Sequence, residues 1–542
     1  MSLYIPEEFT EEERAVLRRY VTNLDGPVFA LVNLPEVVRG ALFARYSRSS
    51  KGLRRLFLDE FVGELDVSAD AALDATLGVH RAEQLYERVF VEYGDDSVAQ
   101  LGGVHLACEQ ASNLLTKVLE WGRLASYLEQ STRYIGYDER LGGRYRYFRD
   151  AEILRSPYAV RYVADMDRLF DAYGEVTRAV AEHVRRVTPK VPGDSDFVYR
   201  TAVRAKALDA ARGVLPAGAL SNVGIYASGQ AYEQLVLRLR AHPLPEARAY
   251  AELVLEELRK VIPSFLRRVD LPERGGAAAA YLAATRERTE GVAQRLFAPM
   301  ATGGPGSGGE EPLVRLVDFD PDGEAKVLAA MLYPHLDRPE EEIEARVLRL
   351  SPAERAELVA AYVGERTNRR LKPGRALERT SYRFDVLADY GAFRDLQRHR
   401  LLTVEWQAFG PQHGYVRPAL VDEAGVAGLF DEAMERSAEL YDLLRPELPQ
   451  QAGYAVCLAH RVRFVLQLNA RAAMHLLELR SSPQGHPGYR SVAQEMHRLI
   501  AEGAGHRALA DMMSFVDHAD EATLERLEAE RRAEGRRVAA SR

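Results

Sequence analysis

The sequence predicts an α+β protein made of two tandem, mainly helical domains. Long segments, such as residues 246–261 and 340–350, show apolar residues at helical spacing with charged residues opposite. A unit of strand, N-cap and helix occurs once in each half of the chain. A Gly- and Ser-rich stretch, residues 301–310, separates the halves and is typical of a flexible linker.

The repeated unit is clearest in the second half. Apolar residues alternate over residues 462–468, which is the pattern of a strand with one buried face. Asn469 follows and is a good N-cap, and residues 470–480 form a helical pattern that ends at Arg480. The first half repeats this order, with a strand at residues 223–227, a cap at Ser228 and a helix at residues 229–240 that also ends in arginine.

A second shared unit precedes the first in each half. Residues 111–124 carry apolar side chains at helical spacing, and so does the stretch that includes Val386, Tyr390, Phe393 and Leu396. We therefore interpret the chain as a diverged tandem duplication. The predicted parts are a first domain (residues 1–298), a linker (299–312), a second domain (313–520) and a charged tail (521–542) that begins as a helix and becomes disordered.

Composition limits the possible classes of protein. The 542 residues are enough for two or three domains, and the net charge of −8 disfavours a general nucleic-acid binder. Cys108 and Cys457 are the only cysteines, so neither a disulfide framework nor a cysteine-rich zinc site is expected, and we predict no metal. The polar N-terminus lacks the pattern of a signal peptide and no apolar run is long enough to span a membrane, so we expect a cytoplasmic protein.

Arginine and histidine cluster in the second half. Arg398, His399 and Arg400 end one short segment. Arg471 and His475 are four residues apart on one helix face, and Arg471 lies near the helix N-terminus, where backbone N–H groups favour an anion. Taken alone, each group is more simply explained as the polar surface of a helix.

Glu129, Ser131 and Arg133 form a second candidate group in the first half. A hydroxyl and a guanidinium two residues apart point the same way in an extended segment, and that pair suits a phosphate. Glu129 adds an acceptor for a ribose hydroxyl or a ring N–H. The alternative is an ordinary loop with a serine turn.

Together these elements resemble the flavin-dependent thymidylate synthases. That family carries Arg-His-Arg, then Ser-x-Arg-Tyr about seven residues later, then Asn-Ala-Arg at the start of a helix that ends in Leu-Arg. The matching segments are Arg398-His399-Arg400, Ser131-Thr132-Arg133-Tyr134, Asn469-Ala470-Arg471, Leu479-Arg480, and Val214-Leu215-Pro216 preceded by Arg212. The resemblance implies that each domain contains a small antiparallel sheet.

The resemblance also implies roles for matching residues. Those expected to contact FAD are Arg398, His399, Arg400, Asn469, Arg471, His475 and Glu378. Those expected to hold the ribose and phosphate of dUMP are Glu129, Ser131, Arg133 and Arg212. Arg480 would bind the uracil ring and stabilise its ionised form, which makes it the expected catalytic residue.

The departures from the family pattern are complementary. The first half has Trp121 and Gly122 where the family has arginine and histidine, so its flavin motif is damaged. The second half keeps that motif but has no Ser-x-Arg-Tyr, and Gly453 stands where Arg212 has its counterpart. We expect a composite site. The second half would supply the residues that contact FAD. The first half would supply the residues that hold the nucleotide, which we call the nucleotide clamp: Glu129, Ser131, Arg133 and Arg212. Whether Gln412, His413 and Tyr415 replace part of the lost clamp stays open.

By resemblance the reaction is the reductive methylation of dUMP to dTMP. FAD would be the cofactor, and NADPH and methylenetetrahydrofolate the co-substrates. Members of the family are homotetramers, so two copies of this duplicated chain would form a homodimer that is a pseudo-tetramer. The alternative is a catalytically inactive sensor or scaffold that binds flavin or nucleotide, because motifs are degenerate in both halves. A helical nucleic-acid-binding protein is a third class, which the net acidity disfavours.

Overall fold

The computed structural model describes residues 4–34, 38–39, 42–43, 46, 48–60, 102–192, 194–297 and 312–519. The predicted tail, and the predicted linker apart from residue 312, lie outside the described residues. The predicted fold class is confirmed, because the chain is mixed helix and strand with two separate four-stranded antiparallel sheets. In the described part of the chain, no helix is both long and apolar enough to cross a membrane.

The chain forms two compact units, and each contains one sheet. Unit 1 consists of Met1–Glu175, Val214–Gly308 and Glu435–Cys457. Unit 2 consists of Val176–Gly213, Gly309–Met434 and Leu458–Arg542. Each unit therefore includes a short segment from the other half of the sequence. The domain boundaries expected from the sequence stay a prediction.

The sheet of unit 1 has the strand order β1-β2-β4-β3. Its strands are β1 (Val28–Leu31), β2 (Gly103–Ser112), β3 (Ala125–Glu129) and β4 (Leu220–Ser228). A bulge interrupts β2 between Cys108 and Ala111, where Gln110 adopts a φ of 55°. Described helices that begin in unit 1 are Glu11–Leu17, Leu53–Glu60, Asn113–Leu119, Ala151–Arg155, Ala159–Val187, Gly229–Arg240, Pro245–Arg259, Pro263–Asp270 and Ala277–Phe297.

The sheet of unit 2 repeats this arrangement with the order β5-β6-β8-β7. Its strands are β5 (Val314–Phe319), β6 (Ser381–Asp389), β7 (Thr403–Trp406) and β8 (Arg461–Asn469). Described helices that begin in unit 2 are Asp196–Ala211, Gly323–Leu332, Glu340–Val347, Pro352–Val363, Tyr390–Gln397, Ala419–Glu423, Ala427–Leu444, Ala470–Arg480, Pro487–Arg498 and Arg507–Met512. The central strands β6 and β8 pair in register from Ser381 opposite Asn469 to Asp389 opposite Arg461.

The predicted strand–cap–helix unit is confirmed in both halves. Asn469 Oδ1 accepts a hydrogen bond from the Ala472 N–H over 2.8 Å, and Ser228 Oγ accepts from the Ala231 N–H over 3.4 Å. The two helices begin at the residue after each cap, as predicted.

The predicted helix around Val386 is partly wrong. Val386 lies in β6, and the helix begins only at Tyr390, after the cap Asp389. The side chains of Tyr382, Phe384 and Val386 alternate into the core, and β6 pairs with β5 on one side and β8 on the other. Alternation at period two over this stretch therefore outweighs the helical spacing that continues beyond it.

Candidate functional site

Arg480 is the last residue of a capped helix in unit 2, and its guanidinium makes contacts on several sides. Its Nε–H donates to Nε2 of His399 over 2.9 Å. Its Nη2 donates to the main-chain oxygen of Asp395 over 2.5 Å, and its Nη1 lies 3.4 Å from Oδ1 of the same residue. The ring of Tyr489 lies 5.3 Å from its Cζ. The guanidinium is thus held in one orientation by an imidazole, a carboxylate and an aromatic ring.

Asp395 is shared by three arginines, which we call the arginine cluster: Arg212, Arg398 and Arg480. Arg212 Nη1 lies 3.4 Å from Asp395 Oδ2, and Nη2 of Arg398 contacts Oδ1. Asp395 and Arg212 are both buried. One carboxylate cannot neutralise three guanidiniums, so the cluster keeps a positive potential suited to an anion.

A second carboxylate, that of Asp389, lies near Arg212. Burial raises the pKa of Asp389, and the charge of Arg212 opposes that rise. Asp389 Oδ1 accepts from the Ala392 N–H over 2.9 Å, so this side chain also begins the helix that carries Asp395. Among the described residues, the buried Nη2 of Arg212 has no hydrogen-bond partner. A buried donor of this kind is costly unless a ligand or water accepts from it.

His399 and His475 lie side by side, with ring centroids 5.5 Å apart. Burial, together with the charge of Arg480, holds the pKa of His399 well below its ordinary value. Burial also lowers the pKa of His475, and the cations Lys372 and Arg369 lower it further. Both imidazoles are therefore neutral at physiological pH. The surroundings of His475 are rich in positive charge.

Arg471 and Glu378, both expected near the flavin, are paired in the structure. Arg471 Nη1 lies 3.2 Å from Glu378 Oε1. Glu378 also accepts from Arg375, and this contact, ahead of the one with Arg471, holds its pKa below the ordinary value. Asn469 lies two residues before Arg471 and caps their helix. Arg400 is exposed to solvent.

The expected nucleotide residues do not all lie in one unit. Glu129, Ser131 and Arg133 belong to unit 1, whereas Arg212 belongs to unit 2 with the arginine cluster. Glu129 is buried, and its Oε2 lies 3.0 Å from Nζ of Lys117. Ser131 Oγ accepts from the Arg133 N–H over 3.3 Å, which is the serine turn of the alternative interpretation, and the role of these residues in nucleotide binding stays a prediction.

The open question about residues 412–415 receives a partial answer in unit 2. Gln412 and His413 lie in a short 3₁₀ helix, Pro411–His413. The hydroxyl of Tyr415 donates to Oδ1 of Asp431 over 2.7 Å. Tyr415 is thus engaged with a carboxylate, and whether it replaces part of the lost clamp stays open.

Sequence reasoning missed Asp395, Asp389 and Tyr489. Asp395 precedes Arg398 by three residues, a spacing that places side chains on one helix face, so its pairing with Arg398 could have been predicted. The approach of Arg212, 183 residues away, had no local signal. Cys108 and Cys457 are small buried core residues, as expected, and burial raises the pKa of both thiols.

The chain belongs to the thymidylate synthase complementing protein family, whose model matches residues 41–264 and 315–504. A UPF0159 protein of Chlamydia muridarum is 39% identical over 529 residues, covering 97% of this chain and 98% of the relative. A UPF0159 protein of Thermoplasma acidophilum is 32% identical over 512 residues, covering 89% of this chain and 96% of the relative.

Two solved structures are similar to parts of the chain. A UMP/dUMP methylase, PolB, from Streptomyces cacaoi, bound with 5-Br dUMP, is 20% identical with a TM-score of 0.29, covering 38% of this chain and 97% of its own. A flavin-dependent thymidylate synthase from Helicobacter pylori, complexed with FAD and dUMP, is 15% identical with a TM-score of 0.28, covering 37% of this chain and 99% of its own.

Proposed function

We propose that the chain is a flavin-dependent thymidylate synthase-like enzyme that converts dUMP to dTMP with methylenetetrahydrofolate and NADPH. Membership of the thymidylate synthase complementing protein family supports the reaction class. The observation that carries the proposal is the arginine cluster, in which Arg212 of the first sequence half shares Asp395 with Arg398 and Arg480 of the second. This convergence fits a site that needs residues from both copies of a duplicated chain.

The duplication itself has two further supports. The two sheets have the same strand order, and the family model matches one segment in each half. Each compact unit also includes a segment from the other half of the sequence, so neither half of the sequence supplies all the residues of one unit. The assembly of two chains into a pseudo-tetramer and the cytoplasmic location remain predictions from the sequence.

The side chains around His475 fit FAD as the cofactor. Lys372, Arg369 and Arg480 all act on His475 electrostatically, and this concentration of cations suits a dinucleotide diphosphate. Arg398, His399, Arg400, Asn469, Arg471 and His475, with Glu378, are the residues we assign to it. When bound, FAD supplies the hydride chemistry that no protein side chain can provide.

Arg480 is the residue we assign to the pyrimidine. Its guanidinium would donate hydrogen bonds to the ring and stabilise negative charge there as the carbon is transferred. Neutral His399 accepts from its Nε–H, and Asp395 holds its far side, so Arg480 is oriented before substrate arrives. Arg212 would hold the phosphate, and the assignment of Glu129, Ser131 and Arg133 to the nucleotide stays a prediction from the sequence.

Purified full-length chain tests the proposal directly. We expect a flavin absorbance spectrum that is bleached by NADPH, and dTMP formation that requires dUMP and methylenetetrahydrofolate. Complementation of a thymidine-requiring strain is the corresponding test in cells. Bound flavin without dTMP formation would contradict the proposed enzyme activity and would favour the alternative, a catalytically inactive sensor or scaffold. A protein without bound flavin that retards labelled nucleic acid in electrophoresis at physiological salt would contradict both the enzyme and the flavin-binding alternative.

A further inference from the structure

Unit 1 contains a cavity of about 210 Å³ beside the helix Pro245–Arg259, and no residue that lines it has a role in the proposed function. The lining is mainly apolar. Aromatic and acidic side chains contribute to it: Tyr4, Phe148 and Tyr250, and Asp150, Glu152 and Glu246. A concave apolar site with a few polar groups is the usual form of a small-molecule binding site.

The buried carboxylate of Glu246 has three hydrogen-bond donors, and all three are neutral. Its Oε1 accepts from the Ser112 N–H over 2.8 Å, and its Oε2 accepts from the Ser112 hydroxyl over 2.6 Å and the Tyr454 hydroxyl over 2.9 Å. Burial raises the pKa of Glu246 to about 7, and the neighbouring carboxylate of Asp150 raises it further. The ionised form of Glu246 therefore lacks a compensating charge.

Unit 2 has a carboxylate at the corresponding place. Ser112 and Asp389 cap matching helices in the two halves. Glu246 and Gly488 each follow the proline that begins the helix after the strand–cap–helix unit. A Cβ at position 488 would lie 2.6 Å from Oδ2 of Asp389. The buried carboxylate thus belongs to the cap in unit 2 and to the later helix in unit 1.

The positive charge beside this carboxylate in unit 2 is absent from the corresponding residues of unit 1. In unit 2 the charge of Arg212 acts on Asp389 and opposes the rise of its pKa. The residue that corresponds to Arg212 is Gly453, and its neighbour Tyr454 gives Glu246 only a hydroxyl. A buried charge without an ionic partner is costly. A cation that entered the cavity would supply the missing charge.

Gln110 fixes one wall of the cavity. It lies in the bulge of β2 with a φ of 55°, a conformation that is uncommon for a residue with a side chain. Its amide accepts from the Ile5 N–H over 3.3 Å and donates to the Ile5 carbonyl over 3.1 Å. These bonds keep the adjacent Tyr4 at the cavity. Backbone strain of this kind is concentrated at functional sites.

We propose that this cavity binds a small primary amine, with the ammonium group at Glu246 and an apolar body among the aromatic side chains. An ionised carboxylate offers about four acceptor sites, and Glu246 uses three, so one remains for a charge-assisted hydrogen bond. Aromatic faces also attract an ammonium group. Among the described residues that line the cavity, Arg155 is the one cation, and it is exposed to solvent.

Three ligands of one shape test whether the cavity recognises charge: benzylamine, benzyl alcohol and benzoate. In calorimetry with the full-length chain, we expect benzylamine to bind saturably with one molecule per chain. Benzyl alcohol should bind about tenfold or more weakly, because it lacks the charge, and benzoate should not bind. Potassium chloride at equal ionic strength is the ionic control.

Two variants locate the binding. Glu246→Gln should weaken benzylamine about tenfold or more and leave benzyl alcohol unchanged, while Glu256→Gln, at an exposed position of the same helix, is its matched control. Ala249→Leu fills the cavity and should remove both ligands, and its control is Ala280→Leu at an exposed alanine. The melting temperature of Ala249→Leu should not fall, because the larger side chain enters empty space.

Three outcomes would overturn the proposal. Equal affinity for benzylamine and benzyl alcohol would show that the cavity recognises apolar shape alone. Benzylamine binding that survives both Glu246→Gln and Ala249→Leu would place the amine elsewhere on the chain. Absence of saturable benzylamine binding would remove the site. The readout is the heat of amine binding, so the result holds whether or not the chain forms dTMP.

Discussion

The Nε–H of Arg480 donates to Nε2 of His399 over 2.9 Å, and this contact determines where the imidazole carries its proton. Because Nε2 accepts, the neutral ring must hold its hydrogen on Nδ1. A protonated His399 could not accept from Arg480 and would place two cations in contact. The orientation of Arg480 therefore depends on the charge state of its neighbour.

Substitution of Arg480 should separate catalysis from cofactor binding. Arg480→Ala should abolish dTMP formation while FAD stays bound, and Arg480→Lys should also fail because one ammonium cannot reach both His399 and Asp395. Arg398→Ala should instead weaken FAD. The measurements are dTMP formation and flavin content after gel filtration. Arg498→Ala, an exposed arginine, is the control; equal loss of flavin in all variants would contradict the separation of roles.

Asp395→Asn should destabilise unit 2 and strengthen anion binding. Removal of the shared carboxylate takes an ionic partner from all three arginines, and loss of such a partner costs about 3–5 kcal/mol where the pair is buried, as it is for Arg212. The same change makes the arginine cluster more positive, so inorganic pyrophosphate should bind more tightly in calorimetry. Denaturant unfolding measures the first effect.

Asp385→Asn is the matched control for Asp395→Asn. Asp385 pairs with Arg463 across two neighbouring strands, but both side chains are partly exposed to solvent. Its loss should cost less than about 1 kcal/mol and leave pyrophosphate binding unchanged. Weaker pyrophosphate binding in Asp395→Asn would show that the carboxylate organises the cluster more than it neutralises it.

These residues show how far the sequence could lead. The caps Asn469 and Ser228 and the helices after them were predictable because they depend on neighbours within four residues. The sequence predicts Arg480 and His399 as site residues, but not their direct contact, which joins positions 81 residues apart. The role of Asp395 as the shared partner of three arginines could not be predicted, because one of them, Arg212, is distant in the sequence and contacts Asp395 only in the folded chain. Features that depend on neighbouring residues, such as helix caps, can therefore be predicted from the sequence. Contacts between side chains that are distant in the sequence can be found only once the fold is known.

His399 should make stability depend on acidic pH. Its pKa in the folded protein lies well below the ordinary value of 6.5, so the unfolded chain binds more protons as pH falls below 6.5. The stability that neutral His399 provides is present above that pH and is lost as the pH falls toward the folded pKa. His399→Gln keeps an acceptor for Arg480 without titrating. Its melting temperature should fall less than that of the unaltered protein between pH 7.5 and 5, and parallel curves would contradict this.

Glu246 should produce the opposite dependence in unit 1. Its carboxylate is buried and accepts from the Ser112 N–H over 2.8 Å and from the Tyr454 hydroxyl over 2.9 Å. Burial is the dominant influence and raises its pKa from 4.5 to about 7. A raised pKa means that the folded state binds the proton more tightly, so the stabilisation is complete below pH 4.5 and is lost as pH rises through 7.

The shift corresponds to about 3 kcal/mol across this range. Glu246→Gln should therefore gain stability relative to the unaltered protein as pH rises from 4.5 to 7.5, measured by denaturant unfolding at each pH. Glu256→Gln, at an exposed position of the same helix, should follow the unaltered protein. If Glu246→Gln and Glu256→Gln gave the same pH profile, the buried carboxyl would be ionised throughout, with its charge satisfied by Ser112 and Tyr454.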